Sequence, residues 1–149
     1  MKKGTSGFIA TFFALGMCGC GGKQAAMPMP AVAPPAVLLP ESFRELSPQE
    51  VATLIQQKAD LQILDMRVET EWAEEGHIAG AHLTNFYRQK LGEHLQTLDR
   101  KKPYLVYCAL GERARMTAAQ MAELGFAEVY LLKDGLNAWK KAGLPLVQG

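Results

Sequence analysis

Pro103-Tyr104-Leu105-Val106-Tyr107-Cys108-Ala109-Leu110-Gly111-Glu112-Arg113 is the stretch on which the fold turns. Its first five residues are aromatic or β-branched in all but two positions, the composition of a strand packed on both faces. The run from Ala114 to Leu124 is rich in helix formers, and Gly125 follows where a helix C-cap is expected. Cys108 therefore falls on the connection between a strand and a helix, five residues before Arg113. Gly111 supplies the backbone freedom that so short a turn demands.

The same alternation extends in both directions. Upstream, Ser47-Pro48-Gln49-Glu50 is a capping box with proline in the first helical position, and Val51, Leu54 and Ile55 continue it as an apolar stripe. Leu61 to Leu64 is a short apolar run ending at Asp65 and reads as a buried strand. Glu69 to Glu75 makes one or two helical turns stopped by Gly76. Ala81 to Leu83 reads as a second short strand, and Arg88 to Leu98 has helical spacing through Leu91, Leu95 and Leu98. Downstream, Val129 to Leu132 is another strand, and Gly135 to Ala142 is a last helix closed by Gly143 and Pro145. Strands alternating with helices imply an α/β fold, a parallel sheet covered on both faces. Ligands in such folds sit beyond the carboxyl ends of the strands, where Cys108 lies. The domain contains no internal repeat.

Ahead of this region, Met1 to Cys20 reads as an export signal: Lys2 and Lys3 at the start, then an apolar run from Phe8 to Met17. That run is too short for a bilayer, which needs roughly 20 residues. It ends in Met17-Cys18-Gly19-Cys20-Gly21-Gly22, which resembles a bacterial lipoprotein processing site, with Cys20 the favoured lipid acceptor and Cys18 its rival. Residues 21–41, rich in Gly, Ala, Met and Pro, read as a semi-extended tether, leaving 42–149 as the folded domain. The expectation is an exported, periplasmic chain held on a membrane through a lipid, with the outer membrane favoured because Gly21 is not acidic. At a formal charge of +1 over 149 residues, with no basic stripe, nothing calls for a nucleic-acid partner.

Of the three cysteines, two lie in the leader, so Cys108 has no disulfide partner in the body. A thiol reacts as the thiolate. Bringing one from about 8.5 to about 6.5 takes about 2.7 kcal/mol, whereas a helix N-terminus supplies about 0.3–1 kcal/mol. The remainder must come from backbone N–H groups of Ala109, Leu110, Gly111, Glu112 and Arg113 arranged around the sulfur as an anion cradle, with the Arg113 charge assisting. An inert buried cysteine at a strand end is the bland alternative.

Four stretches together resemble the rhodanese family of sulfurtransferases over about Ser47 to Pro145. They are Leu64-Asp65-Met66-Arg67; Glu75-Gly76-His77-Ile78-Ala79-Gly80-Ala81; Tyr107 through Arg113; and Gly125-Phe126 through Leu132 with Gly135, Trp139 and Gly143-Leu144-Pro145. The resemblance implies a three-layer fold around a short parallel sheet of about five strands, and a monomeric domain. It implies transfer of a sulfane sulfur from a small-molecule donor to a thiol or cyanide acceptor through a persulfide on Cys108. The persulfide, itself an anion, would rest in the loop from Ala109 to Arg113, without metal or other cofactor. Asp65 and Arg67 are expected to pair and brace the loop, and His77 to satisfy backbone groups at its turn. Ala114 stands where a Ser or Thr is common, and Asp134 replaces the first of two usual glycines. Ala109 and Leu110 put no charge in the loop, which favours a less charged or thiol-bearing donor over thiosulfate.

Two other functions compete. Cysteine phosphatases of related fold place five residues between Cys and Arg, whereas four stand here, a loop tighter than a tetrahedral phosphate prefers. A rhodanese-like module that carries a persulfide or docks a partner without rapid turnover is the other.

Overall fold

The computed structural model describes residues 42–148. The leader, the tether and the Cys20 site lie outside the described residues. Among those residues no helix is long and apolar enough to cross a membrane.

Five strands and five helices alternate along the chain: β1 (Phe43–Leu46), α1 (Pro48–Gln57), β2 (Gln62–Asp65), α2 (Glu69–Glu75), β3 (Ala81–Leu83), α3 (Leu91–Thr97), β4 (Pro103–Tyr107), α4 (Glu112–Glu123), β5 (Glu128–Leu132) and α5 (Gly135–Lys141). The strands form one parallel sheet in the order β1-β5-β4-β2-β3. This is the expected fold class. It places β4, the strand that feeds Cys108, at the centre.

Side-chain alternation along β4 divides the core into two layers. Tyr104 and Val106 face Leu91 and Leu95 of α3 and Ala114, Ala118 and Met121 of α4. Leu105 and Tyr107 face Val51 and Leu54 of α1 and Leu136 and Trp139 of α5. Cys108 continues the even-numbered side and joins the α3/α4 layer. The α1 capping box forms as expected: Ser47 Oγ accepts from the Glu50 amide, and the Glu50 carboxylate accepts from the Ser47 amide at 2.8 Å.

Three features depart from the expectations. The strand β1 was not among the stretches that the sequence marks as strands. It carries exposed Arg44 and Glu45 on a sheet edge, and only its register with β5 (Phe43 opposite Val129) makes it a strand. The helix α3 starts at Leu91 rather than Arg88, because Lys90 adopts φ 65° and turns the chain just before it. The helix α4 starts at Glu112, two residues earlier than expected, so Glu112 and Arg113 belong to its first turn and the loop itself shrinks to Cys108–Gly111.

Candidate active site

Three elements converge on Cys108. The strand β4 delivers it, α4 leaves from Gly111, and the start of α5 closes the far side. Gly111 takes φ 106°, and its amide donates to Cys108 Sγ at 3.0 Å. This amide alone meets the sulfur among the described residues, where a fuller ring was expected. The reason lies in the two peptides before it. The carbonyls of Cys108 and Ala109 accept from the first free amides of α5, Leu136 N at 2.8 Å and Asn137 N at 3.1 Å. A trans peptide points its N–H opposite its C=O. The Ala109 and Leu110 amides are therefore aimed away from α5, and neither donates to a protein acceptor among the described residues. The loop thus has one amide on the thiol and two further donors available to an anion. The thiol itself is 1% exposed, and Leu110 at the apex is 57% exposed.

The approach of α5 depends on Gly135. A Cβ built there would sit 2.4 Å from the Cys108 carbonyl oxygen and 2.5 Å from that of Ala109, at φ +61°. Both obstacles are backbone and cannot rotate aside. Gly135→Ala should displace the loop or α5, costing about 2–4 kcal/mol of stability in urea unfolding, with sulfur transfer falling by more than the folded fraction does. Asp134 also takes a left-handed conformation, φ 55°, which aspartate tolerates better than most residues. The family-type glycine is thus replaced without losing the turn.

Arg113, expected to assist at the sulfur, lies within electrostatic reach of Cys108 but shares its charge with a carboxylate. Its guanidinium makes a bidentate pair with Glu71, Nη1 to Oε2 and Nη2 to Oε1, both 2.8 Å. The Arg113 hydrogen bonds hold the Glu71 carboxyl below its ordinary range. Glu71 was missed in the sequence. It lies 42 residues away on α2, a helix with no buried residue that reads as a solvated turn. Its carboxylate also accepts from the Val68 amide at 3.1 Å, closing a cap around the start of α2.

Asp65 and Arg67 form the expected ion pair, fully buried, with Nη2 to Oδ2 at 2.8 Å and Nε in contact with both carboxylate oxygens. What the pair braces is α2 rather than the cysteine loop directly. Arg67 Nη1 donates to the Glu71 carbonyl at 3.1 Å, and Nη2 to the Gly76 carbonyl at 2.7 Å. The chain of contacts runs Asp65, Arg67, Glu71, Arg113, and so reaches the loop through a helix.

The His77 imidazole does not satisfy turn groups. The main chain does that work, with reciprocal bonds between His77 and Val147 at 2.8 and 2.9 Å. The ring instead stacks on Trp72 at 3.6 Å between centroids, and its Nδ1 is buried without a partner. Burial lowers its pKa from the ordinary value. His77 is thus held on the side of α2 by an aromatic face. Among the described residues a roomy concavity of about 470 Å³ lies against α1 and β1, walled by Arg44, Gln49, Lys58 and Tyr130. It contains no nucleophilic thiol and is separate from the Cys108 loop.

Against this geometry, residues 47–142 match the rhodanese-like domain. The chain belongs to the rhodanese-like family. It is a sulfurtransferase of the rhodanese type. A thiosulfate sulfurtransferase GlpE from Actinobacillus pleuropneumoniae is 33% identical over 106 residues, 71% of this chain and 94% of that protein. A rhodanese-related protein from Thermoplasma volcanium superposes with a TM-score of 0.62 at 26% identity, covering 71% of this chain and 99% of that one. A homodimeric polysulfide-sulfur transferase from Wolinella succinogenes superposes with a TM-score of 0.61 at 28% identity, covering 72% and 80%.

Proposed function

We propose that this rhodanese-type chain moves a sulfane sulfur through a persulfide on Cys108, as an exported, lipid-anchored protein of the bacterial periplasm. The observation that carries the mechanism is the Gly111 amide on Cys108 Sγ at 3.0 Å, in a loop whose neighbouring carbonyls are tied back by α5. It supports a sulfur held as an anion at a helix N-terminus, where partial positive charge and oriented N–H groups coincide.

In the first half-reaction the Cys108 thiolate attacks the outer sulfur of the donor. A new S–S bond forms at Cys108, the donor's own S–S bond breaks, and its electron pair leaves with sulfite or a thiolate. The persulfide anion then lies where the Ala109 and Leu110 amides can reach its terminal sulfur. In the second half-reaction a thiolate or cyanide attacks that sulfur, and the electron pair of the broken bond regenerates the Cys108 thiolate. No cofactor enters either step. The proteins named above act, by their names, on thiosulfate and on polysulfide; a small-molecule sulfane donor and a thiol acceptor are the corresponding partners here.

Anchoring rests on Lys2, Lys3, the apolar run to Met17 and Cys20. Intact-mass measurement of the chain extracted from membranes with detergent reads both halves of the proposal. The expected chain starts at an acylated Cys20, gains one sulfur atom with donor, and loses it with cyanide. A chain that keeps its leader would remove the anchoring, and one that takes up no sulfur would remove the persulfide. Uptake without turnover to cyanide would mark a carrier rather than an enzyme.

A further inference from the structure

We propose that Glu71, acting through Arg113, sets the charge selectivity of the site, so that donors with at most one negative charge are used in preference to dianionic thiosulfate. The proposal rests on the persulfide reading of Cys108 and names the class of donor it takes.

Three observations converge. First, Arg113, the cation closest in sequence to the loop, is neutralised by a two-point contact with Glu71, with only 18% and 26% of the two side chains exposed. Second, Glu71 is held from two further sides: its carboxylate takes the Val68 amide, and its carbonyl takes Arg67 Nη1. A carboxylate fixed at both ends does not swing aside to release its partner at low cost. Third, the residues next to Arg113 in sequence do not make up the deficit. Ala109 and Leu110 are neutral, and Arg115 is paired with Glu45. The backbone of Asp134 comes within 3.8 Å of a Cβ position on Gly111, which places an acidic residue beside the loop. Glu112, exposed in the first turn of α4, adds a negative charge with no ion-pair partner among the described residues. Arg113 lies within electrostatic reach of Cys108, but its charge is shared with Glu71, and a thiolate beside a dianion is repelled twice as strongly as beside a monoanion.

The comparison that isolates charge uses two donors with the same reacting bond. Thiosulfate gives Cys108 persulfide and sulfite, a dianion in and a dianion out. Methanethiosulfonate gives the same persulfide and methanesulfinate, a monoanion in and a monoanion out. Taking the ratio of their kcat/KM values cancels any change in the thiolate itself. In Glu71→Gln the Arg113 charge is freed. The thiosulfate-to-methanethiosulfonate ratio should then rise by about tenfold, chiefly through a lower KM for thiosulfate. The gain should shrink as ionic strength goes from about 0.01 M to about 1 M, where the screening length falls from about 30 Å to about 3 Å. Glu71→Asp, which keeps the charge, should return the ratio to within about twofold of wild type. A purely structural role for Glu71 would lower both donors alike and leave the ratio unmoved, which overturns the proposal. Should Glu71→Gln fail to fold, the wild-type protein still decides. A donor ratio that does not favour thiosulfate as salt is lowered supports a neutralised Arg113, and a steep gain for thiosulfate at low salt reveals a free cation and overturns it. Failure of the underlying reading looks different: neither donor would leave sulfur on Cys108.

Discussion

Cys108→Ser should abolish sulfur transfer, lowering turnover of any donor by a factor on the order of 10³ or more, while leaving the fold in place. The two effects separate because of where the side chain sits. Serine differs from cysteine by one atom, and its hydroxyl can accept the Gly111 amide that now meets Sγ at 3.0 Å. Burying a hydroxyl among Val106, Ala114 and Ala118 costs about 1 kcal/mol, small beside the 5–15 kcal/mol that keeps a domain folded. Chemistry is another matter. The hydroxyl does not ionise near neutral pH, and oxygen cannot take over the role of the persulfide-bearing sulfur. Turnover with thiosulfate and cyanide, measured beside a thermal melt of the same preparation, checks both halves. Wild-type rates in the serine variant would remove Cys108 from the mechanism, whatever the family.

The sequence read the centre of this molecule well and its periphery less well, for reasons that can be located. The strand β4 and helix α4 were legible because their signals are local: five consecutive buried residues, then helix formers up to a glycine cap. The Ser47 capping box is written in four adjacent residues. The strand β1 left no such mark. Two of its four residues are exposed, and its identity comes from pairing with β5, far along the chain in the register Phe43 to Val129. The site shows the same division. Cys108 and Gly111 could be placed from spacing, and the Asp65–Arg67 pair from the family signature. Glu71 could not, because a carboxylate on a short helix with no buried residue resembles any solvated charge until the fold sets it against Arg113. One signal was present: Glu71 stands three residues after Val68, the position of a helix-capping carboxylate, and its side chain does take the Val68 amide. The same contact explains why the sequence alone cannot weigh the charge of Arg113 at the sulfur. Charge counted along the loop is not charge delivered to it, since a partner from another element can cancel it.

Asp65→Asn should be the most destabilising single change in the site, costing about 3–5 kcal/mol, because it leaves a buried cation with only the part-exposed Glu75 carboxylate, 3.5 Å from Arg67 Nη1. Neither Asp65 nor Arg67 has any exposed surface. The carboxylate takes the Arg67 amide at 2.9 Å, Nε on both oxygens and Nη2 at 2.8 Å. Asparagine keeps the shape but loses the charge, and it turns an NH₂ group toward a guanidinium that has only donors to offer. Adding Arg67→Met should recover part of the loss, since a buried pair replaced by an apolar side chain is often close to neutral. Full recovery is not expected, because the Glu71 and Gly76 carbonyls would then lose the donors that Arg67 supplies. Urea unfolding of the two variants tests this: a single substitution costing less than about 1 kcal/mol would show that the pair is dispensable. The functional consequence follows the same route. Without Arg67 fixed in place, the Glu71 backbone loosens and the two-point contact that neutralises Arg113 weakens. In the folded fraction of Asp65→Asn, the preference between dianionic and monoanionic donors should therefore move in the direction expected for Glu71→Gln. A stability defect with the donor ratio unmoved would confine the pair to holding the fold together.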